Sequence, residues 1–279
     1  RTNPTAFFFL IDQSANMARE LAGSTKTKAQ NVAAVLNRLL NDLVIRCSKG
    51  EDVFHYFDVA CIGYGNSAFG RTAVGPALGN QLANKLYVSI DEIADFPLRI
   101  EERTKKVDDG AGGLVELQIE FPIWIEPISD SGNVPMYAGF TDLLNALRKW
   151  ISDHRKSFPP IIIHISGGLS SDGDPLEIAE IVKSQSTVDG NVIFFNLYLS
   201  ENHAEPIIFP SSSAELPNAY AKALFEMSSP LPKTWIHHAE QMGLEVDQGA
   251  KALIMNAEIT TLIRFIEIGT RQPTQIKWD

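Results

Sequence analysis

Residues 6–11, AFFFLI, are six consecutive apolar residues closed by Asp12. The run is too short to cross a bilayer as a helix, and as a strand it places apolar side chains on both of its faces. Both faces must therefore be covered, the situation of a central strand in a parallel sheet flanked by helices. The residues that follow agree. Val32, Val35, Leu36, Leu39, Leu40 and Leu43 fall at helical spacing and predict an amphipathic helix over about 26–46, and a second apolar run predicts a strand over 57–64.

After an interruption the same alternation resumes. Pro135 suits the first turn of a helix reaching about residue 156. PPIIIHIS reads as a strand, DPLEIAEIVKS as a helix and NVIFFNLYLS as a strand, while EPIIFPSSSAELP carries a short edge strand and a loop. Segments 217–228 and 233–243 read as helices, and Ala250, Leu253, Ile254, Ala257, Leu262, Ile263 and Ile266 as a final amphipathic helix. The expected class is α/β: a Rossmann-like, doubly wound, mostly parallel sheet with helices on both faces and one antiparallel edge strand. The whole of 1–279 reads as one domain.

The interruption, 66–133, reads as a β-rich insertion. In GLVELQIEFPIWI, Val115, Leu117, Ile119, Phe121, Ile123 and Ile125 share one face, and Glu116, Gln118 and Glu120 the other, which predicts a half-buried strand at a sheet edge. DDGAGG reads as its hairpin turn, with the second arm over about 98–107.

A formal charge of -10 without any dense Lys/Arg block excludes a nucleic-acid or anionic-membrane binder. Cys47 and Cys61 are too few for a disulfide framework or a zinc site, and a reducing cytoplasm is the expected location. GYGNSAFG lacks dinucleotide-loop spacing, His237 and His238 would diverge on a helix, and no Gly-x-Ser-x-Gly elbow is present. An enzyme is not expected. A hydrolase or phosphotransferase, the reading from another class, needs titratable companions for Asp12 that the sequence does not supply.

In an open parallel sheet, ligands sit beyond the carboxyl ends of the strands. Asp12, Ser14 and Asn16 stand there at alternate positions, half of an oxygen shell for Mg²⁺. In a turn, the same Asp and Ser satisfy backbone donors and nothing more.

LIDQSANM, FDVACIGYG, IIIHISGGLSSDGDP and LIRFIEIGT occur in that order. With these elements the chain resembles the von Willebrand factor A domain, a Rossmann-like fold whose metal-ion-dependent adhesion site uses an Asp-x-Ser-x-Ser loop, a threonine and a second aspartate. The resemblance implies that Asp12 and Ser14 match the first loop, that Asn16 replaces its second serine, and that Gly167 falls on the second aspartate. The threonine falls on Val134 if SGNVPM is aligned, or on Thr141 if GFTDLLNAL is. Helix length favours Val134.

On that alignment Asn16, Val134 and Gly167 replace metal ligands, and two of those side chains offer no oxygen. The expectation is a degraded metal site on an intact fold. No resident cofactor is expected, and Mg²⁺ only weakly, through Asp12, Ser14, Asn16 and Thr141. Asp172 and Asp174 are expected to cap the helix after them. The resemblance further implies a bacterial, non-enzymatic module docking another protein through the face of Asp12, Ser14, Asn16, Val134 and Gly167. By the same analogy, partners would be a MoxR-type ATPase, a protein kinase or a phosphatase in a stress or defence system. The alternative is weak, Mg²⁺-dependent binding of a partner's carboxylate.

Overall fold

In the structure, a computed structural model, residues 3–108, 113–130, 132–201, 204–214, 216–241 and 243–256 are described. Strand β1 (Thr5–Asp12) leads into helix α1 (Lys28–Cys47) and a small hairpin of β2 (Ser48–Lys49) and β3 (Asp52–Val53). Next come β4 (Phe57–Tyr64), β5 (Val74–Pro76), β6 (Val88–Ser89), α2 (Ile90–Asp95) and the long arms β7 (Arg99–Asp108) and β8 (Leu114–Ile123). Helix α3 (Met136–Asp153), β9 (Ile161–Ser166) and α4 (Leu176–Lys183) follow, then a second small hairpin of β10 (Ser186–Thr187) and β11 (Gly190–Asn191). The described chain closes with β12 (Ile193–Tyr198), β13 (Ile207–Ile208), α5 (Ala219–Met227), α6 (Lys233–Gln241) and β14 (Leu253–Met255).

The central sheet has the order β13-β14-β12-β9-β1-β4-β5, with β6 also on β4. Strands β14, β12, β9, β1 and β4 run parallel, so the expected α/β class with a mostly parallel sheet holds. Antiparallel strands flank it at both edges, β13 on one side and β5 with β6 on the other, where the sequence suggested one.

Alternation along β1 builds both halves of the core. Phe7, Phe9 and Ile11 pack with Val32, Leu36, Leu39, Leu40 and Leu43 of α1. Ala6, Phe8 and Leu10 pack with Phe140, Leu143, Leu147 and Trp150 of α3. Helix α1 starts where a capping box forms: Thr27 Oγ1 accepts from the Gln30 amide at 3.1 Å, and Gln30 Oε1 accepts from the Thr27 amide at 3.0 Å.

Three further sequence expectations change. Ala250, Leu253 and Ile254 do not start a helix; Leu253–Met255 is a strand between β12 and β13. A three-residue apolar run fits either period, and here the open slot in the sheet decides. The later part of that expected helix, with Ala257, Leu262, Ile263 and Ile266, lies outside the described residues.

The second change concerns β8, which among the described residues pairs only with β7 in a separate two-stranded sheet, leaving Val115 and Leu117 exposed. The third concerns Pro135, which stands at the N-cap of α3, not inside its first turn. Among the described residues, no helix is long and apolar enough to cross a membrane.

Candidate functional site

The loop after β1 is held from several sides. The Gln13 amide donates to the Tyr64 carbonyl at 2.7 Å, and the Gln13 carbonyl accepts from the Asp130 amide at 2.8 Å. Asp130 in turn accepts from the Ser67 amide at 2.8 Å, tying three loops together. Gly65, at φ +94°, meets the loop where a Cβ would lie 2.8 Å from the Ser14 nitrogen. Glycine is required there by both backbone sign and space.

Asp12 ends β1 and is 1% exposed. Its Oδ1 accepts from the Ser14 amide at 2.9 Å and its Oδ2 from the Gly167 amide at 3.0 Å. Burial pushes its carboxyl above the usual carboxylate range; the bonds from Ser14 and Gly167 and the charge of Lys28 oppose this. Lys28, itself 2% exposed, has its amine drawn below the ordinary lysine range by burial, against the pull of Glu201 and Asp12. Ser14 Oγ is buried beside this carboxylate.

Asn16 and the glycine pair share one volume. A Cβ on Gly168 would lie 2.2 Å from Asn16 Nδ2; one on Gly167 would lie 2.8 Å from Met17 Sδ and 3.5 Å from Asp12 Oδ2. The Asn16 amide fills the space that a side chain at 168 would need, and Met17 fills the space at 167.

Val134 is 8% exposed and belongs to the core beneath α3. Its amide donates to Ser171 Oγ and its carbonyl accepts from the Ser171 amide, both at 2.9 Å. Thr141 sits in the second turn of α3, its hydroxyl turned back to the Tyr137 carbonyl at 3.0 Å. Asp174 precedes Pro175, the N-cap of α4, and accepts from the Leu176 amide at 3.0 Å. Asp172 does not cap α4: it reaches the start of α3, accepting from the Tyr137 and Ala138 amides at 3.0 and 2.9 Å. Proline at the N-cap has no side-chain acceptor, so the donors of this helix end are met from another loop.

Toward a dication these residues offer one carboxylate whose two oxygens accept backbone donors, the Ser14 hydroxyl and the Asn16 amide oxygen, and no oxygen from the side chains at 134 and 167. Among the described residues, no three His, Cys, Asp or Glu side chains are placed to hold a metal ion. Sequence reasoning missed Gln13, Asp130 and Ser171, because their partners lie on distant loops that no local pattern announces.

Beneath the site a buried polar chain crosses the sheet. Tyr64 Oη lies 2.9 Å from His164 Nε2, and His164 Nδ1 lies 2.8 Å from Asn196 Oδ1. Asn196 Nδ2 donates to Ser228 Oγ at 2.9 Å. Since Asn196 Oδ1 can only accept, Nδ1 carries the imidazole proton and Tyr64 donates to Nε2.

No protein-family model matches the chain, and no curated protein matches its sequence. Among solved structures it is similar to proximal thread matrix protein 1 from the mussel byssus, with 12% identity over 96% of this chain and 48% of that one and a TM-score of 0.48. It is also similar to the PilB minor pilin from Streptococcus sanguinis, with 10% identity over 95% of this chain and 60% of that one and a TM-score of 0.44. The chain thus spans less than two thirds of either protein.

Proposed function

We propose that residues 1–279 form a non-enzymatic, von Willebrand A-type interaction module that docks a partner protein through the edge bearing Asp12, Ser14, Asn16, Val134 and Gly167, without metal. The observation that carries this reading is the closure of Asp12 by the Ser14 and Gly167 amides. A carboxylate satisfied by its own backbone is a structural pin. Contact then falls to the rim, where Leu169 is 66% and Tyr137 39% exposed beside the acidic Asp172 and Asp174.

The test is capture of partners from native lysate by the full chain, with and without chelator, beside Leu169→Glu. The reading expects capture that ignores chelator and drops with the charge introduced at 169. Release by chelator overturns it in favour of the second reading, weak Mg²⁺-dependent binding of a partner carboxylate, which the buried Ser14 hydroxyl beside Asp12 favours.

A further inference from the structure

The β7–β8 hairpin is a two-stranded ribbon, and among the described residues no third strand pairs with either arm. Ile123 at its root is 3% exposed, whereas Val115 and Leu117 farther along the same arm are 43% and 49% exposed. A two-stranded ribbon with an uncovered apolar face is marginal in water, and its outer edges carry unpaired peptide groups.

The charges supply the second observation. Glu102 stands directly opposite Glu120 in the ladder, and neither has an ion pair among the described residues. Like charges in that position destabilise a sheet. Outward on the same face, Gln118 Nε2 bonds Thr104 Oγ1 at 3.1 Å, and Lys106 reaches Glu116 at 3.8 Å with both side chains mostly exposed. The opposite face is satisfied: Arg99 and Arg103 pair with Glu101, and the Arg103 guanidinium lies 3.9 Å from the Phe121 ring centre. Along β8, then, one side presents Glu116, Gln118 and Glu120, and the other Val115, Leu117 and Ile119.

We propose that the outer edge of β8 docks an extended strand of another protein in which basic and apolar residues alternate. Its apolar side chains lie beside Val115, Leu117 and Ile119, and its basic ones beside Glu116 and Glu120, where they offset the Glu102–Glu120 repulsion. The net charge of -10 favours the same partner. Two-fold pairing of β8 with β8 of a second copy, centred on Gln118, sets Glu116 of each copy against Glu120 of the other, a like-charge register that a basic strand does not meet. The edge of β7 is not equivalent, since Arg99, Glu101 and Arg103 stand where β8 has apolar residues.

The full chain is titrated with labelled peptides of about ten residues, the length of a hairpin arm, alternating Lys/Val, Glu/Val or Lys/Ser. The Lys/Val peptide is expected to bind roughly tenfold more tightly than the others and to slow hydrogen exchange along β8. The exposed pair Glu102→Gln, Glu120→Gln weakens that binding roughly fivefold, and Leu117→Lys abolishes it. Absence of saturable Lys/Val binding, equal binding of the Glu/Val peptide, or a dimer of the chain joined through this hairpin overturns the proposal. The β1-loop edge enters none of these outcomes, so its role stands or falls separately.

Discussion

The amide of Gly167 donates to Asp12 Oδ2 across 3.0 Å, joining the end of β9 to the end of β1. With the Ser14 amide on Oδ1 at 2.9 Å, both oxygens of the buried carboxylate accept hydrogen bonds from the protein's own backbone. The site is built around this closure.

Replacing Asp12 by Asn removes a buried charge, yet it should destabilise the protein. Both oxygens receive N–H donors, so an amide group must turn one donor toward another. The expected loss is about 2 kcal/mol in urea unfolding. A neutral or stabilising effect would show that burial of the charge outweighs the two bonds.

Asn16 and Gly168 should be energetically coupled. Gly168→Ala forces its Cβ into the space held by Asn16 Nδ2 and should cost about 1–3 kcal/mol. In an Asn16→Ser background most of that cost should vanish, which a double-mutant cycle reads directly. Additive effects would mean that the two residues do not share a volume.

Asn37 of α1 pins the segment after β8. Its Oδ1 accepts from the Trp124 and Ile125 amides at 2.7 and 3.0 Å, and its Nδ2 donates to the Ile125 carbonyl at 2.8 Å. Asn37→Ala leaves three buried backbone groups without these partners and should cost roughly 3 kcal/mol, measured by urea unfolding.

His164 should make stability fall in acid. Burial draws its folded pKa down from the ordinary 6.5 to about 4, so the unfolded chain binds the proton first. Stability from this group is complete above pH 6.5 and is lost as pH falls toward 4, by about 3 kcal/mol in all. Asp12, with its carboxyl raised by burial, works in the opposite sense. The difference between wild type and His164→Gln across this window isolates the histidine; no difference in slope would contradict its burial as a neutral group.

Legibility in the sequence followed the range of the deciding interaction. Strand 57–64 was readable to the residue because a run apolar on both faces has one solution. Leu253–Met255 was not, since three apolar residues take the period their neighbours allow, and those neighbours are β12 and β13. The pattern of β8 gave its two faces correctly but could not show that nothing among the described residues covers the outer one. At the site, Asp12, Ser14 and Asn16 announced themselves by spacing. The fit of Asn16 against Gly168 and the bond from the Val134 amide to Ser171 join loops far apart in sequence. Only the fold reveals them.

The central claim, that the β1-loop edge works without a bound dication, is met most directly by calorimetric titration of the full chain with Mg²⁺ and with Mn²⁺. The account predicts no saturable heat in the micromolar range for either ion. A clear micromolar isotherm that disappears in Asp12→Ala would contradict it.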